Sequence, residues 1–360
     1  MFKTYSAKKD KVYQILDEKG NLVLPEEEPK ITKETLLKMY QTALFARRAD
    51  IKALQYQRQG RMLTYAPNIG QEGVQIGTAA AMEEKDWFSP MYRDLSIQLY
   101  RGESLENIYL YWYGNERGSL KPKGVKNLPV NVIIGSQTNI AAGLAMASKI
   151  RQTDEVTVFT VGDGGTSHGE FYEGLNFAAV FDLPVVGVIQ NNQYAISTPT
   201  NKATKAETFA QKGVAFGIPY ALVDGNDPLA VYKTVKTAIE RARKGEGASL
   251  IEAYTYRMGP HTTSDDPSIY RTKEEEASWA KKDPLIRFKN YLIKKGYWSE
   301  KEEESYLETI EKEIGETFQK VESYGAKVEL KEIFEHTFAA MTPELKSQME
   351  EHEEFLKEVK

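Results

Sequence analysis

Two apolar segments that each stop at a polar turn constrain the fold of this chain most. Residues 156–161 are β-branched or aromatic, with no polar break beyond threonine, which is typical of a strand buried on both faces of a parallel sheet. This run ends at the turn Gly162-Asp163-Gly164-Gly165. Residues 170–181 follow with apolar side chains at helical spacing, and a second buried run, 185–189, ends at Gln190-Asn191-Asn192. The order predicts a strand, a helix and a second strand.

The two polar turns are expected to meet in such a β-α-β unit. Both parallel strands end at the same edge of the sheet, where open α/β sheets bind ligands. Asp163 and Asn192 therefore face one crevice, beside backbone N–H groups that Gly164 and Gly165 leave approachable. A carboxylate and an amide oxygen suit a hard cation that also holds phosphate groups. The sequence predicts magnesium with a diphosphate at this edge.

Two better-known phosphate-binding motifs are absent from this turn. A P-loop requires lysine followed by serine or threonine after its second glycine, and a dinucleotide fingerprint requires glycine at the position of Ser167. Neither pattern is present. Two other interpretations stay open: an ordinary turn in which Asp163 caps the helix, and a nucleotide- or phosphosugar-binding α/β protein that uses the same glycine turn.

The rest of the sequence predicts an α/β domain between two smaller parts. Residues 1–30 are expected to form an N-terminal arm with a small hairpin, and residues 31–272 the α/β domain. From residue 273 to 360 the pattern changes to charged amphipathic helices, a C-terminal extension that packs on the core or on a partner. A non-catalytic scaffold that recruits partners through this tail is an alternative. Further strands are expected at residues 130–135, 220–223 and 249–256.

Capping residues predict where two helices begin. Thr32, followed by apolar positions at helical spacing, can cap a long helix that Gly60 ends. In the tail, Asp283 can cap a helix whose first residue is Pro284. We therefore expect one long helix before the strands and an amphipathic helix early in the extension.

The charge balance and the absence of cysteine exclude several classes of function. The chain has 47 lysine and arginine residues against 52 aspartate and glutamate residues, which gives no reason to expect a nucleic acid or a membrane as partner. Because there is no cysteine, disulfides, thiol nucleophiles and cysteine metal sites are excluded. No apolar run approaches the roughly eighteen residues that a membrane span needs. We expect a cytoplasmic protein.

Several separate motifs connect the chain to a known family. In chain order they are YAPNIGQEG, MYRDL, IIGSQ, GDGGTSHGEFYEGLN, QNNQYAIST, VDGNDPLAVY and GPHTTSDDPSIYR. Through them the chain resembles, from about Ile31 to the C-terminal helices, the alpha subunit of the thiamine-diphosphate-dependent 2-oxo acid dehydrogenases. The resemblance implies a parallel-sheet thiamine-diphosphate-binding fold with helices on both faces and a helical C-terminal extension.

The resemblance assigns roles to the residues of the predicted crevice. It implies that Asp163, Asn192 and the backbone oxygen of Tyr194 bind magnesium. It also implies that Gly164 and Gly165 lie against the diphosphate of thiamine diphosphate. The metal and the cofactor would thus share the two polar turns.

Residues from other loops are matched to the rest of the cofactor. Tyr92 and Arg93 are expected to contact the diphosphate oxygens, and the backbone of Val132 the aminopyrimidine ring. Ile134 matches the bulky residue that supports the bent cofactor. His261 matches a histidine near the reacting carbon, which implies a catalytic role in handling the acyl group and transferring it to a lipoyl group.

The implied reaction is the oxidative decarboxylation of a 2-oxo acid, in which the cofactor is the electron sink. In this family the glutamate that activates the aminopyrimidine belongs to a separate beta subunit, so we expect an α2β2 heterotetramer. A lipoyl-bearing acyltransferase is expected to accept the acyl group. Pyruvate and branched-chain enzymes share these motifs, and we favour pyruvate as the substrate. The chain departs from the family pattern at His168, where relatives commonly have glutamine.

Overall fold

The chain folds around a parallel sheet. The computed structural model describes residues 11–325 and 329–359. The strands are β1 (Trp87–Ser89), β2 (Thr157–Gly162), β3 (Val185–Asn191), β4 (Tyr194–Ala195), β5 (Thr198–Pro199), β6 (Tyr220–Asp224) and β7 (Ser249–Tyr254). Five of them form one sheet in the order β1-β2-β3-β7-β6, with all neighbours parallel. β4 and β5 pair separately as an antiparallel ladder.

The register of β2 and β3 brings the two polar turns together. Gly162 at the end of β2 pairs with Gln190 near the end of β3, so the strands leave the sheet at the same level. Asp163 follows β2 directly, and Asn192 follows β3 directly. The helix between the strands spans Gly169–Val180. The predicted β-α-β unit is confirmed.

Helices cover both faces of the sheet. They are α1 (Lys33–Arg58), α2 (Glu72–Ala81), α3 (Leu95–Tyr100), α4 (Leu105–Tyr113), α5 (Ser136–Arg151), α6 (Gly169–Val180), α7 (Thr200–Ala203), α8 (Gly213–Phe216), α9 (Pro228–Arg243), α10 (Lys273–Ala280), α11 (Pro284–Lys294), α12 (Glu300–Gly325), α13 (Leu330–Phe334) and α14 (Pro343–Glu358). Val158 of β2 packs in a core with residues of α1, α2, α9 and α11, whereas Phe159 and Val161 pack with α5 and α6. Because neighbouring residues of β2 belong to opposite cores, the predicted α/β fold with helices on both faces is confirmed.

The strand predicted at residues 130–135 is wrong. Within this segment Val132 is 56% exposed and Ile133 is 69% exposed, so its apolar residues do not enter the sheet. Asn131 folds the segment on itself, since its Oδ1 accepts a hydrogen bond from Ile133 N at 2.9 Å and its Nδ2 donates to Ser136 Oγ at 2.7 Å. The neighbour of β2 at this end of the sheet is instead the three-residue strand β1, which the sequence did not predict.

The N-terminal arm extends the sheet at its β6 edge. The predicted hairpin is present as one antiparallel bridge between Leu16 and Leu22, and Tyr13 forms a parallel bridge with Val223 of β6. The carboxylate of Asp227 accepts hydrogen bonds from Ile15 N and Leu16 N, each at 2.6 Å, which fixes the arm. The first ten residues of the predicted arm lie outside the described residues.

The regular structure in the described part of the tail beyond residue 273 is all helical, as predicted. Asp283 caps α11 through Leu285 N, and Thr32 caps α1 through Thr35 N. Phe318 of α12 stacks on Tyr56 of α1 with ring centroids 3.6 Å apart. In contrast, α13 and α14 contain no buried residues. Within the described residues, none of the helices combines the length and apolar character needed to cross a bilayer.

Candidate functional site

A cavity of about 720 Å³ lies at the carboxyl ends of β2 and β3. Its walls come from the turns after these strands and from the segments that follow β1, precede α5 and follow β7. All ten residues predicted for the site line it: Tyr92, Arg93, Val132, Ile134, Asp163, Gly164, Gly165, Asn192, Tyr194 and His261. Segments far apart in the sequence therefore converge on one cavity at the predicted sheet edge.

Asp163 presents a buried carboxylate oxygen without a partner. The residue is 1% exposed, and its Oδ2 accepts no hydrogen bond. Burial raises the pKa of Asp163 to about 6, although its own backbone N–H, Arg257 and the Asn192 backbone N–H lower that pKa in part. Its side chain makes no capping hydrogen bond to the 3₁₀ turn that follows, Gly164–Ser167. The interpretation of Asp163 as a simple helix cap is therefore wrong.

The side chain of Asn192 is oriented by a residue that the sequence did not single out. Asn192 Nδ2 donates to Gln71 Oε1 at 2.9 Å, and both side chains are buried. This leaves the amide oxygen for the cavity side, where Tyr194 N approaches it at 3.4 Å. The backbone oxygen of Tyr194, the third predicted metal ligand, already accepts a hydrogen bond from Arg257 Nη1 at 3.0 Å.

These groups fit a hard divalent cation. A partnerless buried carboxylate oxygen next to an amide oxygen is a donor pair that magnesium binds, and the Tyr194 carbonyl keeps a second lone pair. Within the described residues there is no group of three or more histidine, cysteine, aspartate or glutamate side chains that could hold a metal. In a site with a single carboxylate, phosphate oxygens of a bound ligand and water molecules would complete the coordination.

Close packing explains the two glycines after Asp163. A Cβ atom on Gly164 would lie 2.6 Å from Ala195 Cβ, and one on Gly165 would lie 2.4 Å from Val161 Cγ2. Ile134 Cγ2 would also lie 3.2 Å from that second Cβ. Side chains larger than hydrogen would thus push the turn away from the wall that Ile134 forms.

Two arginines hold His261. Its Nδ1 lies 3.3 Å from Arg93 Nη2 and 3.4 Å from Arg257 Nη1. Because guanidinium nitrogens only donate hydrogen bonds, Nδ1 is the acceptor and the ring proton belongs to Nε2. Burial, followed by the charges of Arg93 and Arg257, lowers the pKa of His261 to about 4. The imidazole is therefore neutral at physiological pH.

Several hydrogen-bond donors of Arg93 are already used within the protein. Its guanidinium is 2% exposed and donates to the backbone oxygens of Pro67 and, at 2.8 Å, His261. The ring centroid of Tyr92 lies 5.4 Å from Arg93 Cζ and 6.3 Å from the centroid of the His261 ring, so Tyr92 packs beside this pair. Arg93 therefore contributes mainly its positive charge to the cavity, since most of the donors that it could direct at a ligand are already hydrogen-bonded.

Several other residues of the cavity wall were not predicted from the sequence. Met91, Tyr111 and Trp112 line it, and so does His168, the residue that departs from the family pattern. Tyr111 and Trp112 belong to α4. Arg257 also lines the cavity, and it was missed because its spacing in the sequence does not show that it contacts His261.

Comparisons with known proteins agree with this geometry. Residues 40–329 match a protein family described as Dehydrogenase E1 component. The chain is 71% identical over 345 residues to the pyruvate dehydrogenase E1 component subunit alpha of Acholeplasma laidlawii, covering 96% of this chain and 100% of that protein. The proteins of the same name from Mycoplasma genitalium and Staphylococcus aureus are 40% identical (96% of this chain, 97% of theirs) and 46% identical (85% and 83%).

Proposed function

Because the chain belongs to the family of dehydrogenase E1 components, we propose that it is the alpha subunit of an enzyme that oxidatively decarboxylates pyruvate with thiamine diphosphate and magnesium. The observation that carries this proposal is the partnerless carboxylate oxygen of Asp163 in a cavity that all ten predicted residues line. Family membership supports the type of reaction, and the cavity is the site where we propose that the reaction takes place.

Asp163, Asn192 Oδ1 and the backbone oxygen of Tyr194 would hold the magnesium ion, which would help to bind the diphosphate. The Gly164 and Gly165 backbone would lie against that diphosphate, with the charge of Arg93 and the hydroxyl of Tyr92 nearby. Burial keeps water from competing for these groups, which strengthens each electrostatic contact.

Thiamine diphosphate, when bound, supplies the carbanion and the electron sink that decarboxylation needs. The contribution of His261 is a neutral ring whose Nε2–H can donate a hydrogen bond to an oxygen of the acyl group. Arg93 and Arg257 fix this tautomer. Ile134 would support the bent cofactor, and the Val132 backbone would contact the aminopyrimidine.

One group required by the reaction is not found among the described residues that line the cavity. Among the described residues that line the cavity, Asp163 carries the only carboxylate, and we assign it to the metal. The glutamate that activates the aminopyrimidine would come from a beta subunit. We propose an α2β2 heterotetramer, whose product acyl group passes to a lipoyl-bearing acyltransferase. Exposed apolar side chains on the neighbouring helices α5 and α6, such as Val180 at 66%, support such an assembly.

The metal role of Asp163 can be tested by calorimetry on the chain co-expressed with its beta subunit. We expect Asp163→Ala to abolish magnesium-dependent binding of thiamine diphosphate. Asp154→Ala is the control, because Asp154 is a largely exposed aspartate that pairs with Lys85 at 2.6 Å. Unchanged cofactor binding in Asp163→Ala would refute the proposed site.

The substrate can be tested on the same assembly by reduction of an artificial electron acceptor. We expect a higher kcat/KM for pyruvate than for 3-methyl-2-oxobutanoate. The reverse preference would make the chain a branched-chain 2-oxo acid dehydrogenase subunit. Absence of turnover with either substrate, despite a complete assembly, would favour the non-catalytic scaffold.

A further inference from the structure

A buried carboxylate, Asp94, lies directly behind the wall segment 91–93 of the cavity. It is 1% exposed. Its Oδ2 accepts hydrogen bonds from Met91 N at 2.8 Å and from Thr160 Oγ1 at 2.5 Å, and its Oδ1 accepts one from Gln190 Nε2 at 2.6 Å. No part of the mechanism described so far uses this carboxylate.

The three donors come from the three segments that build the diphosphate end of the cavity. Thr160 lies in β2 three residues before Asp163, and Gln190 lies in β3 two residues before Asn192. Met91 precedes the two residues expected to contact the diphosphate. A single side chain therefore joins the loop after β1 to both strands that carry the candidate metal ligands.

The surroundings of Asp94 are mostly neutral. On the side of α2, Gln75 accepts a hydrogen bond from Ser96 N at 2.9 Å and donates one to Arg93 O at 2.9 Å, and Asn68 Oδ1 accepts one from Leu95 N. Burial raises the pKa of Asp94 to about 7, while its hydrogen bonds and the charge of Arg93 lower that pKa in part. Both protonation states are thus accessible near neutral pH.

Protonation changes how firmly this carboxylate holds the loop. Ionised Asp94 makes charge-assisted hydrogen bonds, which are about twice as strong as neutral ones. When Asp94 is protonated, its new O–H can donate a hydrogen bond to Gln190 Oε1 if the amide turns over; this buried oxygen otherwise has no hydrogen-bond partner. The hydrogen bond from Met91 N then has a neutral acceptor, and the segment 91–93 is held less tightly.

We propose that Asp94 is a positioning residue of the site. Its carboxylate fixes residues 91–93 against β2 and β3 and so sets the placement of Tyr92 and Arg93 toward the diphosphate. This inference rests on the proposed function, because it concerns the affinity for thiamine diphosphate.

The test compares Asp94→Asn with the wild type, each assembled with the beta subunit, by calorimetry with thiamine diphosphate and magnesium from pH 6 to pH 8. We expect the ratio of the variant's Kd to the wild-type Kd to be about tenfold at pH 8, as for one lost charged hydrogen bond. The ratio should shrink toward one at pH 6, where wild-type Asp94 is itself protonated. Taking the ratio cancels the titration of the cofactor and of Asp163. At saturating cofactor, kcat should change much less than Kd.

Asp227→Asn is the matched control. Asp227 is equally buried, its pKa is raised to about 6 mainly by burial, and its hydrogen bonds hold the N-terminal arm and α9. This variant should lose thermal stability while its Kd ratio stays near one at every pH.

Thr160→Val keeps the carboxylate and removes one of its donors. Loss of a donor to the ionised carboxylate raises the pKa of Asp94. As the pH is lowered, the affinity of Thr160→Val for the cofactor should therefore begin to fall at a higher pH than the affinity of the wild type does. This variant decides the matter if Asp94→Asn fails to assemble. If the ratio of the Asp94→Asn Kd to the wild-type Kd is one at pH 8, or does not change with pH, the inference is overturned while the proposed function stands. Failure of the wild type to bind the cofactor would overturn both.

Discussion

At the scale of single residues, the site depends on pairs that the sequence does not show. The residue types after β2 and β3 predict a cation and a diphosphate, because parallel strands end at one edge. Gln71 and Arg257 escape such reasoning. Their importance comes from tertiary contacts, Gln71 orienting the Asn192 amide and Arg257 contacting the Tyr194 carbonyl and His261. Sequence spacing alone carries no information on these distances.

His261 gives a prediction about pH. Its pKa of about 4 lies below the ordinary value of 6.5, so we expect its ring signals in NMR spectra of histidine-labelled enzyme not to shift between pH 5.5 and pH 8. The signals are assigned by their loss in His261→Gln. Since the unfolded chain takes up the proton first, this histidine lowers stability as the pH falls from 6.5 toward 4. A midpoint near 6.5 would contradict the neutral tautomer held by Arg93 and Arg257.

At the scale of elements, long buried strands were predictable and short or exposed ones were not. β2, β3, β6 and β7 are runs of five to seven residues with strong apolar character. β1 has three residues and gives no such run. The apolar residues of segment 130–135 lie in the cavity wall or on the exposed surface. Their sequence pattern is the same as that of a short buried strand. The domain boundary at residue 273 stays a prediction.

The cap of α11 offers a test at this scale. Asp283 accepts a hydrogen bond from Leu285 N and also pairs with Arg47, which in turn pairs with buried Glu72. We expect Asp283→Ala to reduce the free energy of unfolding by about 1 kcal/mol more than Asp283→Asn, since asparagine keeps the cap. Denaturant titration measures the difference. Equal losses would mean that the cap contributes nothing and the ion pair accounts for the whole effect.

At the scale of the whole molecule, the exposed apolar residues point to assembly. α5 and α6 pack together and expose Ile150, Phe177 and Val180, and Phe181 directly after α6 is exposed as well. Such patches mark protein interfaces. We expect Val180→Glu to reduce the α2β2 species in native mass spectrometry, because a charge would be buried at the contact. Ile286→Glu, at a similarly exposed position of α11, is the control. Intact assembly with Val180→Glu would exclude this surface as the interface.

The cavity has one wall at Val132 that stands open to solvent, next to the exposed Ile133, and the described residues that line it include no second carboxylate. If a neighbouring subunit closes that wall, the cofactor touches both chains and its binding cannot be independent of their association. Thermodynamic linkage then requires reciprocity: whatever factor the beta subunit adds to the affinity for thiamine diphosphate, the cofactor adds to the affinity between the subunits. Depletion of thiamine diphosphate would then weaken the association between the subunits as well as abolish the activity.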